Sequence, residues 1–123
     1  MYRIETTIEI SAAHKLDLDY ESECSKLHGH NWRIVIHCSA KELNQNGMII
    51  DFTHLKRKIK ESLDHQYLNV ILPFNPTAEN IARYIGELVN QDSEFIDPKR
   101  GAICDCVEVE ETPGNIAIWD YEE

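Results

Sequence analysis

The chain has 123 residues, of which 42% are hydrophobic, a length and composition suited to one domain with its own buried core. Its formal net charge of −10 at pH 7 excludes a nucleic-acid backbone or an anionic membrane surface as the expected partner, since both are met by lysine and arginine. No apolar run approaches the ~20 residues of a membrane span, and Met1-Tyr2-Arg3-Ile4-Glu5 lacks a secretory leader pattern, so a cytoplasmic protein with reduced cysteines is expected.

Residues 2–10 alternate, with Tyr2, Ile4, Ile8 and Ile10 on one parity and Arg3, Glu5, Thr7 and Glu9 on the other, the period of a half-buried strand. That parity continues through Ala12 to His14, which is expected to project from the core side where the strand ends. Residues 17–25 read as a polar loop. Residues 31–40 alternate again, Trp32, Ile34, Ile36 and Cys38 against Arg33, Val35, His37 and Ser39, and His28 and His30 share the parity of Trp32. Asn44-Gln45-Asn46-Gly47 marks a turn. Asp51 is an N-cap for a helix whose apolar stripe is Phe52, Leu55, Ile59 and Leu63, with Asp64-His65 at or just past its end. Thr77 caps a second helix with the stripe Ile81, Ile85, Leu88 and Val89. Residues 102–111 and 115–121 form a hairpin around Thr112-Pro113-Gly114. Cys104 and Cys106, two apart in this strand, are expected on one face as small apolar fillers, and Trp32 and Trp119 as packing residues. The order β-β-α-α-β-β predicts a single α+β domain over residues 1–123, a four-stranded antiparallel sheet with two helices on one face.

The chemistry-bearing pattern is Cys24-x-x-x-His28-Gly29-His30 together with His14. Histidines two apart on a strand point the same way. With His14 they make a three-histidine zinc site, whose fourth tetrahedral position stays open as catalytic sites require. Cys24 stands beside it either as an acid/base thiol or as a fourth, closing ligand. His37 and His54 read as surface or interface residues. Glu111 shares the parity of Val107 and Val109, whereas Glu110 falls with Cys104, Cys106 and Glu108.

These blocks resemble the 6-pyruvoyltetrahydropterin synthase/6-carboxytetrahydropterin synthase family over nearly the whole chain. The markers are Ser11-Ala12-Ala13-His14, Cys24-x-x-x-His28-Gly29-His30, Met48-Ile49-Ile50-Asp51-Phe52, Leu63-Asp64-His65-Gln66-Tyr67-Leu68-Asn69, Pro76-Thr77-Ala78-Glu79-Asn80 and Glu111-Thr112. Ile10, where many members have Phe, is an apolar-for-apolar departure. The resemblance implies the tunnelling fold, with sheets joined into trimeric barrels, two trimers stacked as a hexamer, and sites at subunit boundaries. It implies Zn²⁺ on His14, His28 and His30, with Cys24, Asp64 and His65 as catalytic groups and Glu111 as anchor of a pterin ring. Asp64 either works with His65 or caps the helix end locally. The short Cys24-to-His28 spacing resembles the 6-carboxytetrahydropterin synthases of queuosine and 7-deazaguanine biosynthesis. The implied reaction is a zinc-dependent lyase conversion of 7,8-dihydroneopterin triphosphate to 6-carboxy-5,6,7,8-tetrahydropterin, acetaldehyde and triphosphate. The alternatives are a 6-pyruvoyltetrahydropterin synthase and, from another class, a non-catalytic pterin-binding module whose zinc is closed by Cys24.

Overall fold

The computed structural model describes residues 1–122. In chain order the elements are β1 (Tyr2–His14), β2 (His28–Ala40), α1 (Phe52–Leu63), β3 (Gln66–Tyr67), α2 (Leu68–Ile71), α3 (Ala78–Asn90), β4 (Ile103–Thr112) and β5 (Asn115–Asp120). Single 3₁₀ turns occupy Glu23–Ser25 and Pro98–Arg100. The strands form one sheet in the order β3-β1-β2-β4-β5. The four long strands pair antiparallel as their alternation predicts.

The sheet has a fifth member where four strands were expected. Gln66 and Tyr67 run parallel to Ala12 and Ala13 of β1. The chain reaches that position because His65 adopts a left-handed conformation, φ 59°, directly after the helix cap, and its N–H donates to the Ser11 carbonyl at 2.7 Å. Two residues are too few for alternation to register, so periodicity could not reveal this strand. The short α2 then carries the chain toward α3.

Both expected caps form. The Asp51 carboxylate accepts from Thr53 N–H at the start of α1, and Thr77 Oγ1 accepts from Asn80 N–H at the start of α3. Leu55, Ile59 and Leu63 of α1 and Ile81, Ile85 and Val89 of α3 share one core with Ile8, Ile10, Trp32, Ile34, Ile36, Val107 and Val109. Each such side chain contributes roughly 1.5–3 kcal/mol by burial. The helices therefore cover one face of the sheet. On the other face His37 is clasped between Glu108 Oε2 at 2.6 Å and Glu5 Oε1 at 3.3 Å, which ties β1, β2 and β4 together.

Cys104 and Cys106 do not share a face. His37 lies opposite Cys106 but Cys38 lies opposite Cys104, so Asp105 is an extra residue and the ladder shifts there. A one-residue bulge reverses the parity beyond it. Cys104 is buried in the core beside Cys38, whereas Cys106 is half-buried. The hydrogen bond with Cys104, and then burial, push the Cys38 thiol up; burial pushes Cys106 up to about 12. Cys104 thus packs as a core filler, whereas Cys106 lies half-buried beside Asp120 and Glu108 and is not one. Among the described residues no helix is long and apolar enough to cross a membrane.

Gly86 is where α3 packs against the Trp119 ring of β5. A Cβ placed there would lie 2.2 Å from a ring carbon of Trp119. In an open helix interior, Gly→Ala stabilises by about 1 kcal/mol; overpacking a filled contact costs about 1–3 kcal/mol. Gly86→Ala should therefore lower stability in urea unfolding, and Trp119→Ala in the same chain should relieve most of that loss. A more stable Gly86→Ala protein would show that Trp119 moves aside freely.

Candidate metal centre

The β1–β2 ladder builds the centre. It sets His14 opposite His28 and Ala12 opposite His30, at the last residue of one strand and the first residues of the next. The three imidazoles thereby meet on the helix-covered side of the sheet end, with ring centroids 4.6 Å (His14–His28), 4.6 Å (His28–His30) and 5.2 Å (His14–His30) apart. Trp32, the next residue of that parity, packs edge-on against His14 and His30 and donates its indole N–H to the Ala12 carbonyl at 3.2 Å. It is the packing residue the sequence predicts.

Backbone carbonyls set the ring tautomers. His14 Nδ1 lies 2.8 Å from Pro76 O, and His28 Nδ1 lies 2.7 Å from Lys26 O. A carbonyl only accepts, so each Nδ1 carries the hydrogen and, in the neutral ring, each Nε2 is a bare lone pair. Those two Nε2 atoms are 3.0 Å apart. Bare nitrogens at that distance repel unless a cation lies between them. His30 Nε2 is buried and has no hydrogen-bond partner among the described residues, an arrangement that calls for a ligand. Nothing in the sequence pointed to the carbonyls of Pro76 and Lys26, because every residue carries one and only the fold selects these two.

Glu111 completes the group. Glu110 pairs with Ile116 and Thr112 with Asn115, so Glu111 is the unpaired residue of a bulge in the β4–β5 hairpin. Its Oε1 lies 3.4 Å from His30 Nε2 and its Oε2 lies 4.0 Å from His14 Nε2. The four donors of His14, His28, His30 and Glu111 all fall within 4.8 Å of one another. A nitrogen and oxygen set of this size suits a zinc-like divalent ion. Burial pushes both His14 and His30 below the ordinary histidine value of 6.5, despite the opposing pull of Glu111 on each. Neutral imidazole is the metal-binding form. Glu110, by contrast, pairs across the sheet with Arg33.

Cys24 is not among these donors. It is half-buried in the Glu23–Ser25 turn, where its carbonyl accepts from Leu16 N–H at 2.8 Å. Asp64 does more than cap α1: its Oδ1 accepts from Ser11 N–H at 2.9 Å and its Oδ2 lies 3.6 Å from His65 Nε2. The His65 side chain is 82% exposed. It lines a cleft of about 530 Å³ with Ser11, Ala12, Ala13, Gly29, His30 and Asn31 at the end of the β1–β2 ladder. One subunit thus brings His14, His28, His30 and Glu111 together and leaves Asp64-His65 apart from them.

Fold and donors define an α+β protein that presents a three-histidine, one-carboxylate group at the end of an antiparallel sheet. A family model described as 6-pyruvoyl tetrahydropterin synthase matches residues 3–122, and the chain belongs to that family. A protein from Pyrococcus horikoshii is 44% identical over 66 residues, 54% of this chain but only 41% of its own length. The 6-carboxy-5,6,7,8-tetrahydropterin synthase of Synechocystis sp. is 36% identical over 94 residues, 69% of this chain and 72% of that protein. The solved structure of Caenorhabditis elegans 6-pyruvoyl tetrahydropterin synthase superposes with a TM-score of 0.74 at 26% identity, covering 98% of this chain and 96% of that one. The architecture is accordingly the tunnelling fold that the motifs implied.

The lowered histidines make a pH prediction for the metal-free protein. The folded chain holds His14 and His30 neutral, so the unfolded chain takes up protons first as pH falls through 6.5. Stability present above 6.5 should be lost below it until the lowered folded values are reached. Urea midpoints of chelator-treated protein across this range should fall toward acid; a flat profile would mean the imidazoles are not held neutral.

Proposed function

We propose that the protein is a zinc-dependent 6-carboxytetrahydropterin synthase, converting 7,8-dihydroneopterin triphosphate to 6-carboxy-5,6,7,8-tetrahydropterin with release of acetaldehyde and triphosphate, in queuosine biosynthesis. The convergence of three imidazole Nε2 atoms and one carboxylate carries this reading, in a family whose Synechocystis member bears that name. His14, His28 and His30 would hold the ion, which would serve as a Lewis acid toward hydroxyl or carbonyl oxygens of the substrate side chain. Glu111 offers two carboxylate oxygens to the paired N–H groups of a 2-amino-pyrimidinone edge, a charge-assisted bidentate contact. Cys24 takes a proton from the side chain as general base, and His65 relays protons with Asp64 orienting it.

Asp64 and His65 lie outside the donor group of their own subunit, and this reading has them complete the site of another copy. β5 and the far side of β1, which the two-residue β3 covers over only a short stretch, leave strand edges able to pair between copies. A homohexamer of two trimeric barrels is the assembly this reading expects.

A second reading, 6-pyruvoyltetrahydropterin synthase, draws support from the C. elegans likeness. Mass spectrometry of the products separates the two, since only the carboxy enzyme yields 6-carboxytetrahydropterin and acetaldehyde. A structural His₃Cys zinc module is disfavoured by the donor set, whose fourth member is Glu111 and not Cys24. Cys24→Ala should keep its metal while turnover falls by roughly 10²–10⁴. His28→Ala and His65→Asn subunits, each inactive alone, should regain turnover when co-assembled. Normal turnover in Cys24→Ala, or no recovery in mixed assemblies of the correct size, would refute the corresponding role.

A further inference from the structure

Glu111 faces two ways. Toward the histidines its oxygens lie 3.4 and 4.0 Å from two Nε2 atoms. Away from them it lines a cleft of about 460 Å³ with Glu79, Asn115 and Ala117, between the start of α3 and the β4–β5 hairpin. Its place as the extra residue of a bulge frees it from the β4–β5 ladder that fixes its neighbours.

From this geometry we infer that Glu111 is a two-position carboxylate. In the substrate-free protein it is the fourth metal ligand; when substrate enters the cleft it moves onto the heterocycle and vacates that coordination position. This deepens the metal-centre reading above and rests on it. Three observations carry it. Tetrahedral bonds of about 2.0–2.1 Å place neighbouring donors about 3.3–3.4 Å apart, and the His30–Glu111 separation is 3.4 Å with His14–His28 at 3.0 Å. Among the described residues the buried His30 Nε2 makes no hydrogen bond, the Glu111 carboxylate 3.4 Å away included, so both are left for a further partner. Finally, among the described residues Glu111 alone contributes to both the donor group and the cleft, so one side chain couples the two.

The consequence is that the metal keeps four protein ligands while the site is empty and gains an open position only when a heterocycle claims the carboxylate. That order protects the ion from loss and from adventitious ligands. It also makes substrate and Glu111 competitors for the metal, which a merely structural glutamate or a fixed substrate anchor would not be.

The test uses Co²⁺ in place of the native ion and neopterin, which lacks the triphosphate, as the probe. Wild-type protein should show the intense visible absorption of a four-coordinate Co²⁺ site, and neopterin should change that spectrum. Glu111→Gln and Glu111→Ala should show an altered spectrum from the outset and no further change with neopterin. Their Zn²⁺ affinity, by chelator competition, should fall roughly tenfold or more, about 1.4 kcal/mol for each factor of ten. Glu111→Asp, which keeps the charge but shortens the reach, serves where either variant fails to fold, with the same expectations. Spectra and affinities identical to wild type overturn the two-position role. So does a neopterin-binding defect with an unchanged cobalt spectrum, which would leave Glu111 a fixed anchor. Absence of Co²⁺ binding in wild type, or full binding in His28→Ala, would overturn the metal-centre reading itself.

Discussion

The pairing of β1 with β2 is the constraint on which everything else in this protein depends. Their ladder is unbroken from Tyr2 opposite Ala40 to His14 opposite His28. Strand side chains alternate with period two, so a slip of one residue would send His28 and His30 to the uncovered face and leave His14 alone. The register is held by the apolar residues of the same parity, Ile8, Ile10, Trp32, Ile34 and Ile36, all of which are almost fully buried. The hydrophobic core and the metal centre are therefore consequences of one alignment, and the imidazoles occupy the last rungs of a ladder that packing has already fixed.

A polar group at the edge of a core is costly unless every donor and acceptor is satisfied. Here the carbonyls of Pro76 and Lys26 take the Nδ1 hydrogens, and burial keeps His14 and His30 neutral. What remains without a donor is the pair of His14 and His28 Nε2 lone pairs, with His30 Nε2 unpartnered and the Glu111 carboxylate beside them. The fold thus concentrates its unmet bonding capacity at one point. The two bulges contribute in different ways. The one at Asp105 turns Cys104 into the core, and the one at Glu111 releases a carboxylate from the hairpin next to the histidines.

Much of this could be read from the chain because it depends on local repetition. Alternation located four strands, helical spacing located α1 and α3, and shared parity put His28, His30 and Trp32 on one face. The remainder depends on contacts distant in sequence or on departures from regularity. The two residues of β3 carry no period. The bulge at Asp105 leaves no local trace, so Cys104 and Cys106 were expected on one face when they lie on two. The choice of Glu111 over Glu110 followed from the Glu-Thr block, but its approach to His30 did not, because that separation is set by how the β4–β5 hairpin sits against β2. Cys24 and Asp64-His65 were legible as motifs, but a motif does not say where its residues fall, and within one subunit none of them joins the donor group.

The central claim is that His14, His28 and His30 direct their Nε2 atoms, with Glu111, onto one metal ion. X-ray absorption at the zinc edge of the purified, substrate-free protein tests it most directly. The account predicts four nitrogen or oxygen scatterers at about 2.0–2.1 Å, with the outer-shell pattern of three imidazoles and no sulfur. A sulfur shell at about 2.3 Å would make Cys24 a ligand and contradict the donor set, and protein that retains no metal would contradict the centre altogether.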